Sequence, residues 1–148
     1  MISPATITAA MVTQLKAIAA LVTALGSANN IAAHNESGSL AEAIRNLKAK
    51  EVLVAWQQTI PGESSAMEMW LHQASIFFRV IGDPAPVLTV ILTGIPAGQA
   101  VAFHRLQLTA GLLPSTTPST YRRQLPISET AAVDYIEIQF NYGDYDRP

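Results

Sequence analysis

The sequence predicts an α+β fold: an antiparallel β-sheet with a β-hairpin, packed against a long N-terminal helix and a central helix. Three stretches carry this. In Glu51–Ile81 two strand-like runs flank a break that contains Pro61, Gly62, Ser64 and Ser65, the residue types that end a ladder and turn the chain. Ser3–Leu25 repeats apolar residues at helical spacing. Asp134–Tyr142 alternates polar and apolar residues almost strictly, the period of a strand with one face buried.

The N-terminal helix opens with a mechanism. The Ser3 hydroxyl can accept from an orphan amide, and Pro4 occupies a position that has no amide bond to lose. Ile7, Met11, Leu15, Ile18, Val22 and Leu25 form one stripe, and Gly26 is a natural stop. With one lysine and no aromatic, the helix lacks the basic face and aromatic anchors of a membrane-surface helix, so core or subunit packing is expected. Gln14, Lys16 and several threonines interrupt any apolar span, and no basic segment precedes the Ala-rich run as in a signal peptide. The reading is a soluble, unprocessed chain.

Ser27–Ser37 reads as a polar connection. Ser39-Leu40-Ala41-Glu42 then has the form of a capping box, and Leu40, Ile44 and Leu47 give the short second helix its apolar stripe. In the second hairpin arm Trp70, His72, Ala74, Ile76, Phe78 and Val80 share one side, while Gln73, Ser75 and Arg79 share the other, so one face is expected buried and one wet. Asp83-Pro84 offers an N-cap and a first helical residue. The β-branched run from Val87 is read as helix because Val87, Leu88, Ile91, Leu92 and Ile95 fit a helical stripe, with Gly94-Ile95-Pro96 as its stop; a buried strand is the alternative. Val101–Leu108 is read as a strand from the alternation of Leu106 and Leu108 with Arg105 and Gln107. Gly111–Ser119 reads as a loop, Tyr121–Leu125 as a short strand and Asp144–Pro148 as a frayed tail. Trp70, Ile76, Phe78, Ile136, Ile138 and Phe140 are expected on the inward side of one sheet, covered by the first and third helices.

Composition narrows the function. At 148 residues the chain is the size of one domain, with no linker or internal repeat. With no cysteine there is no disulfide, thiolate nucleophile or thiolate metal site. A net charge of −2 with 14% charged residues gives no basic field for a phosphate backbone, so no specific nucleic-acid partner is expected. A chain that is 49% apolar with so few charges hints that other subunits cover part of its surface.

Motifs of catalysis do not emerge. His34, His72 and His104 have no metal spacing, and His72 on an apolar strand side reads as a structural histidine. No nucleophile elbow, phosphate loop or dinucleotide fingerprint is present. Glu36 with Glu42, or Asp134 with Glu137, could pair as acids, but exposed carboxylates at helix starts and on wet strand faces are ordinary. Tyr121-Arg122-Arg123 stands out, because an aromatic beside two guanidinium groups suits a carboxylate, a phosphate or another chain; a solvated edge strand is the plain alternative. No catalytic residue, metal or cofactor is expected, and the chain is not read as an enzyme.

The helix Ser3–Leu25, LAEAIRNL before EVLVAW, the strand MWLHQASIFFRVI, the helix after Asp83-Pro84 and the closing DYIEIQFNY occur in an order that resembles the tail-terminator and related neck proteins of tailed bacteriophages. The Gly111–Ser119 loop and the Val101–Leu108 strand depart from that pattern. The resemblance implies a structural virion protein of the tail and neck, assembled in the host cytoplasm. Its partners would be its own copies in a homohexameric ring, the tail tube protein and a head-side connector or neck protein, with no membrane and with DNA only passing through the lumen. Projecting segments supply the expected contacts: Pro61, Gly62, Glu63, Ser64 and Ser65 at the hairpin tip, Tyr121, Arg122 and Arg123, and Asp144 with Tyr145 at the tail. Another neck or tail-assembly ring component, a dimeric adaptor, and a small-ligand binder with a pocket between the hairpin face and the Val87–Ile95 helix are the alternatives.

Overall fold

Six strands form one mixed, mostly antiparallel sheet, and the reason it holds together is that its central strands are apolar on both faces. The computed structural model describes residues 1–35, 37–61 and 69–145. In chain order the elements are α1 (Pro4–Lys16), α2 (Ala19–Leu25), β1 (Ile31–Ala33), α3 (Leu40–Arg45), β2 (Val52–Pro61), β3 (Trp70–Arg79), α4 (Ala85–Thr93), β4 (Leu112–Pro114), β5 (Ser119–Pro126) and β6 (Ala132–Asp144). The sheet runs β1-β2-β3-β6, and β6 carries both β4 and β5 along its far edge. Only β1 is parallel to its neighbour.

The inner face buries Val52, Val54, Ala74, Ile76, Phe78, Ile136, Ile138, Phe140 and Tyr142 beneath α1, α2 and α4. Period-two alternation predicts this face correctly, although Trp70, at the rim beside Pro61, stays 36% exposed. The outer face is not simply wet. Leu53, Ala55, Phe77, Val133 and Tyr135 form a second apolar cluster there, covered by Ile44 of α3 and by Leu47 just beyond it. A strand buried on both faces reads as a continuous apolar run, which is what VLVA and IFF are.

The expected long helix is two helices bent by 85°. Ile18 adopts an extended conformation between them, and the Ala17 carbonyl accepts from the Ala97 amide at 2.9 Å instead of from the next turn. The loop after α4 therefore stabilises the break. Gly94 makes the approach possible, since a Cβ there would stand 2.4 Å from the Val90 carbonyl and 2.7 Å from Ile18 Cγ2. The stripe changes phase at the bend: Ile7, Met11, Leu15, Ile18 and Leu25 are buried as expected, but Leu21 takes the core position assigned to Val22, which is only half-buried. No single helix among the described residues is long and apolar enough to cross a membrane.

Caps follow the sequence closely. Ser3 Oγ accepts from Thr6 N, Ser39 Oγ from Glu42 N, and Gly26 ends α2 at φ +85°. Asp83 acts one residue earlier than expected, its carboxylate accepting from Ala85 N at 3.0 Å while Pro84 takes the cap position. Two further readings are corrected. Val101–Leu108 is not a strand: it contains a single 3-10 turn at Phe103–Arg105. Leu106 and Leu108 are indeed buried and Arg105 and Gln107 exposed, but the segment packs Phe103, Leu106 and Leu108 into the core without joining the ladder. The polar connection Ser27–Ser37 contains β1, and the Gly111–Ser119 loop contains β4; both are three-residue strands, too short for alternation to show.

Candidate functional site

Polar groups collect in three places, and each is placed by strand register. At one end of the inner face, Thr59, His72 and Asp144 come together from β2, β3 and β6. Thr59 Oγ1 lies 2.7 Å from His72 Nδ1, and His72 Nε2 lies 2.9 Å from Asp144 Oδ2, which also accepts from Ile2 N at 2.7 Å. Trp56 Nε1 donates to Thr59 Oγ1 at 3.2 Å. One direction of donation satisfies the whole chain: indole to hydroxyl, hydroxyl to Nδ1, Nε2–H to carboxylate. Hydroxyl, imidazole and carboxylate in series also describe a nucleophilic triad, but here the histidine and the aspartate side chains expose no surface at all and the hydroxyl oxygen is occupied by the indole. The arrangement is a structural clamp. His72 is thus the structural histidine the sequence suggests, and Asp144 is corrected: it belongs to no frayed tail but ends β6 in the interior, paired by its carboxylate. Nearby, the Tyr142 hydroxyl is buried without a hydrogen-bond partner, and burial pushes its pKa well above the ordinary tyrosine value.

On the outer face a second network centres on Glu137, which is 6% exposed. Its carboxylate accepts from Ser75 Oγ at 2.8 Å, Gln139 Nε2 at 3.0 Å and Arg123 Nε at 2.8 Å, with Gln57 Nε2 at 3.5 Å. Gln58, Gln73 and Gln139 continue it as a row of amides across β2, β3 and β6. Arg123 also lies over the Tyr121 ring, 4.5 Å from its centroid. Arg122 makes a two-pronged contact with Asp134, whose carboxyl this guanidinium holds below the usual carboxylate range. So the arginines singled out from sequence pair with the two carboxylates that were weighed as an acid couple. Each cation already has an anion within its own chain.

Of the other expected contact residues, Pro61 is exposed at the end of β2, and Tyr145 is 40% exposed with its amide bonded to the Gly111 carbonyl. Gly62, Glu63, Ser64 and Ser65 lie outside the described residues, as does Glu36. Among the described residues no three of His, Cys, Asp and Glu stand close enough to hold a metal ion.

The third place is a cleft between the end of α2, the start of α4 and the Phe78–Arg79 end of β3. Leu25, Phe78, Ile81, Pro84 and Val87 line it, together with Lys50, Glu51, Arg79 and Asp83. Nothing in the sequence announces that the Lys50 backbone sits at φ +65°. The juxtaposition of Lys50 with Arg79, 29 positions later, depends on tertiary packing.

No protein-family model matches the chain, and no curated protein matches it in sequence.

Proposed function

We propose that the chain is a structural ring component of a phage tail, a terminator that caps the tail tube and joins it to the head-side connector. The observation that best supports this reading is that the sheet ends in two open edges. On one side β5 pairs with β6 alone, and seven of its eight residues are exposed. On the other, β1 covers β2 only at Val52–Val54, leaving its farther stretch without an outer strand among the described residues. Open edges on opposite sides of one sheet favour head-to-tail contact between copies, and such contacts either close into a ring or run on as a filament. Sixfold closure comes from the family resemblance.

In this role the protein acts through surface shape and needs no bond-making chemistry. It would present the tube with a matching face and deny the next tube ring one. Locating the protein by immunolabelled electron microscopy of assembled particles tests the reading. A single ring at the head-proximal end of the tail is the expected result. Absence from the particle, or turnover of a small molecule by the free chain, overturns it.

A further inference from the structure

We infer that the cleft between α2, α4 and the end of β3 is a binding site for a small apolar carboxylate, a ligand with one anionic end and a short aliphatic body. This inference is independent of the ring reading, because it uses neither β5 nor the open stretch of β2.

The argument begins with charge. Among the described residues Arg45, Arg122 and Arg123 each have a carboxylate within 4 Å, whereas Arg79 has none. Yet Arg79 is half-buried, and its recorded hydrogen bond is a long one, 3.4 Å from Nη1 to the Leu47 carbonyl. A guanidinium carries five donors and loses hydration when it is partly enclosed, so an unpaired one at a cleft wall favours an anion. Lys50 lines the same cleft and likewise has no ion pair among the described residues. Its left-handed backbone is strained for a residue with a Cβ, a strain glycine would not carry.

The two carboxylates at the rim form no ion pair with these cations, although they keep their own negative charge. Glu51 Oε1 accepts from the Lys48 amide at 2.7 Å, and Asp83 Oδ1 accepts from the Ala85 amide. They do, however, decide what kind of anion fits. With two acidic groups beside two cations, a dianionic phosphate meets repulsion that a monoanion largely avoids. The remaining wall is apolar, made by Leu25, Phe78, Pro84, Val87 and Ile81, the last of them 60% exposed. A monoanionic head on an aliphatic body matches that division, with charge-assisted bonds fixing the head and apolar contact holding the tail.

Two sources share this chemistry: the C-terminal residue of a polypeptide and a free short-chain acid. Titration followed by backbone amide NMR distinguishes them, with N-acetyl-leucine and hexanoate as the acids, and N-acetyl-leucinamide and hexanol as uncharged controls. The expected result is that amides of residues 49–51, 78–83, 85 and 87 shift with an acid, and that the matching control binds about ten-fold more weakly or worse. Tighter binding of N-acetyl-leucine identifies a chain end, and tighter binding of hexanoate a free acid; either supports the site. Lys50→Gly removes the cation and the strain together, so it should keep or raise the melting temperature while weakening acid binding about ten-fold. Arg79→Gln, which keeps a donor for the Leu47 carbonyl, should weaken it as well. Equal binding of acid and control, no shifts with either acid, or undiminished binding in both variants overturns the inference.

Discussion

Strands β3 and β5 belong to the same sheet, yet they are held in place by different forces. β3 is paired with β6 along all ten residues and with β2 along nine, with Ala74, Ile76 and Phe78 under the helices and Phe77 under α3. β5 has one ladder of eight residue pairs, and only Leu125 contributes to a core. What orders its remaining side chains is the Arg122–Asp134 pair, the Arg123–Glu137 pair and the guanidinium over Tyr121. Burial of one large apolar side chain contributes about 1.5–3 kcal/mol, far more than an ion pair in contact with solvent. The contrast locates the chain's stability in β2, β3 and β6. It also marks β5 as a strand whose cover, if it has one, comes from another chain.

Substitutions on the two strands should separate accordingly. Phe77→Ala and Phe78→Ala, one on each face of β3, should each cost about 3–5 kcal/mol in reversible urea unfolding. A loss under about 1 kcal/mol at either would show that face to be peripheral and would break the contrast. Next in size is Asp144→Ala, which strands His72 Nε2 and the Ile2 amide in the interior and should cost at least about 1–3 kcal/mol. Tyr142→Phe should go the other way. It deletes a buried hydroxyl that has no partner, so stability should hold or rise by up to about 1–3 kcal/mol.

The same tyrosine sets a pH dependence. Burial raises its folded pKa above the unfolded value of about 10, so its contribution is fully present below about pH 10 and is lost as pH climbs toward the folded value. Tyr135, also raised by burial and then by Glu137, acts with the same sign. Urea midpoints measured from pH 8 to 11 should fall above about pH 10, less steeply in Tyr142→Phe. An unchanged slope would deny that the phenol stays buried. Smallest of all is Arg122→Ala on β5, where the midpoint should not move measurably. Arg123 is different from its neighbour, because Arg123→Glu sets a second carboxylate against the buried Glu137 and should lower stability. Reversing both arginines at once therefore confounds docking with folding.

Much of this contrast was visible in the sequence, in proportion to how local its cause is. Alternation in Trp70–Val80 and Asp134–Tyr142 exposed the inner face, and Ser3, Ser39, Gly26 and Gly94 exposed the helix ends, because caps and strand periods are properties of neighbouring residues. Phe77 was harder. Its burial depends on α3 folding over the outer face, and alternation is blind to a second cover. The break at Ile18 depends on Ala97, nearly eighty residues away, and the 101–108 segment imitates a strand because alternate burial does not require a ladder partner. For the candidate sites, Tyr121-Arg122-Arg123 was legible as a cluster, but its partners Asp134 and Glu137 follow from the β5–β6 register. The place of the cleft, between the hairpin and the helix that contains Val87, was legible as one alternative, but its charged lining was not, since Lys50 and Arg79 reach it only through tertiary packing.

In the proposed ring, head-to-tail contact would pair the β5 edge with the open stretch of β2 in the next copy. The chain lacks cysteine, so an introduced pair reports without background. Gln58 and Ser119 lie on the outer face of the two edges and are exposed. Gln58→Cys combined with Ser119→Cys, and as a second register Gln58→Cys with Tyr121→Cys, can be oxidised in the purified chain and in particles assembled with it. The account predicts a ladder of linked species ending in one closed ring for at least one double variant, while each single variant stops at a dimer. Double variants that yield nothing beyond a dimer, both in solution and in particles, would contradict it.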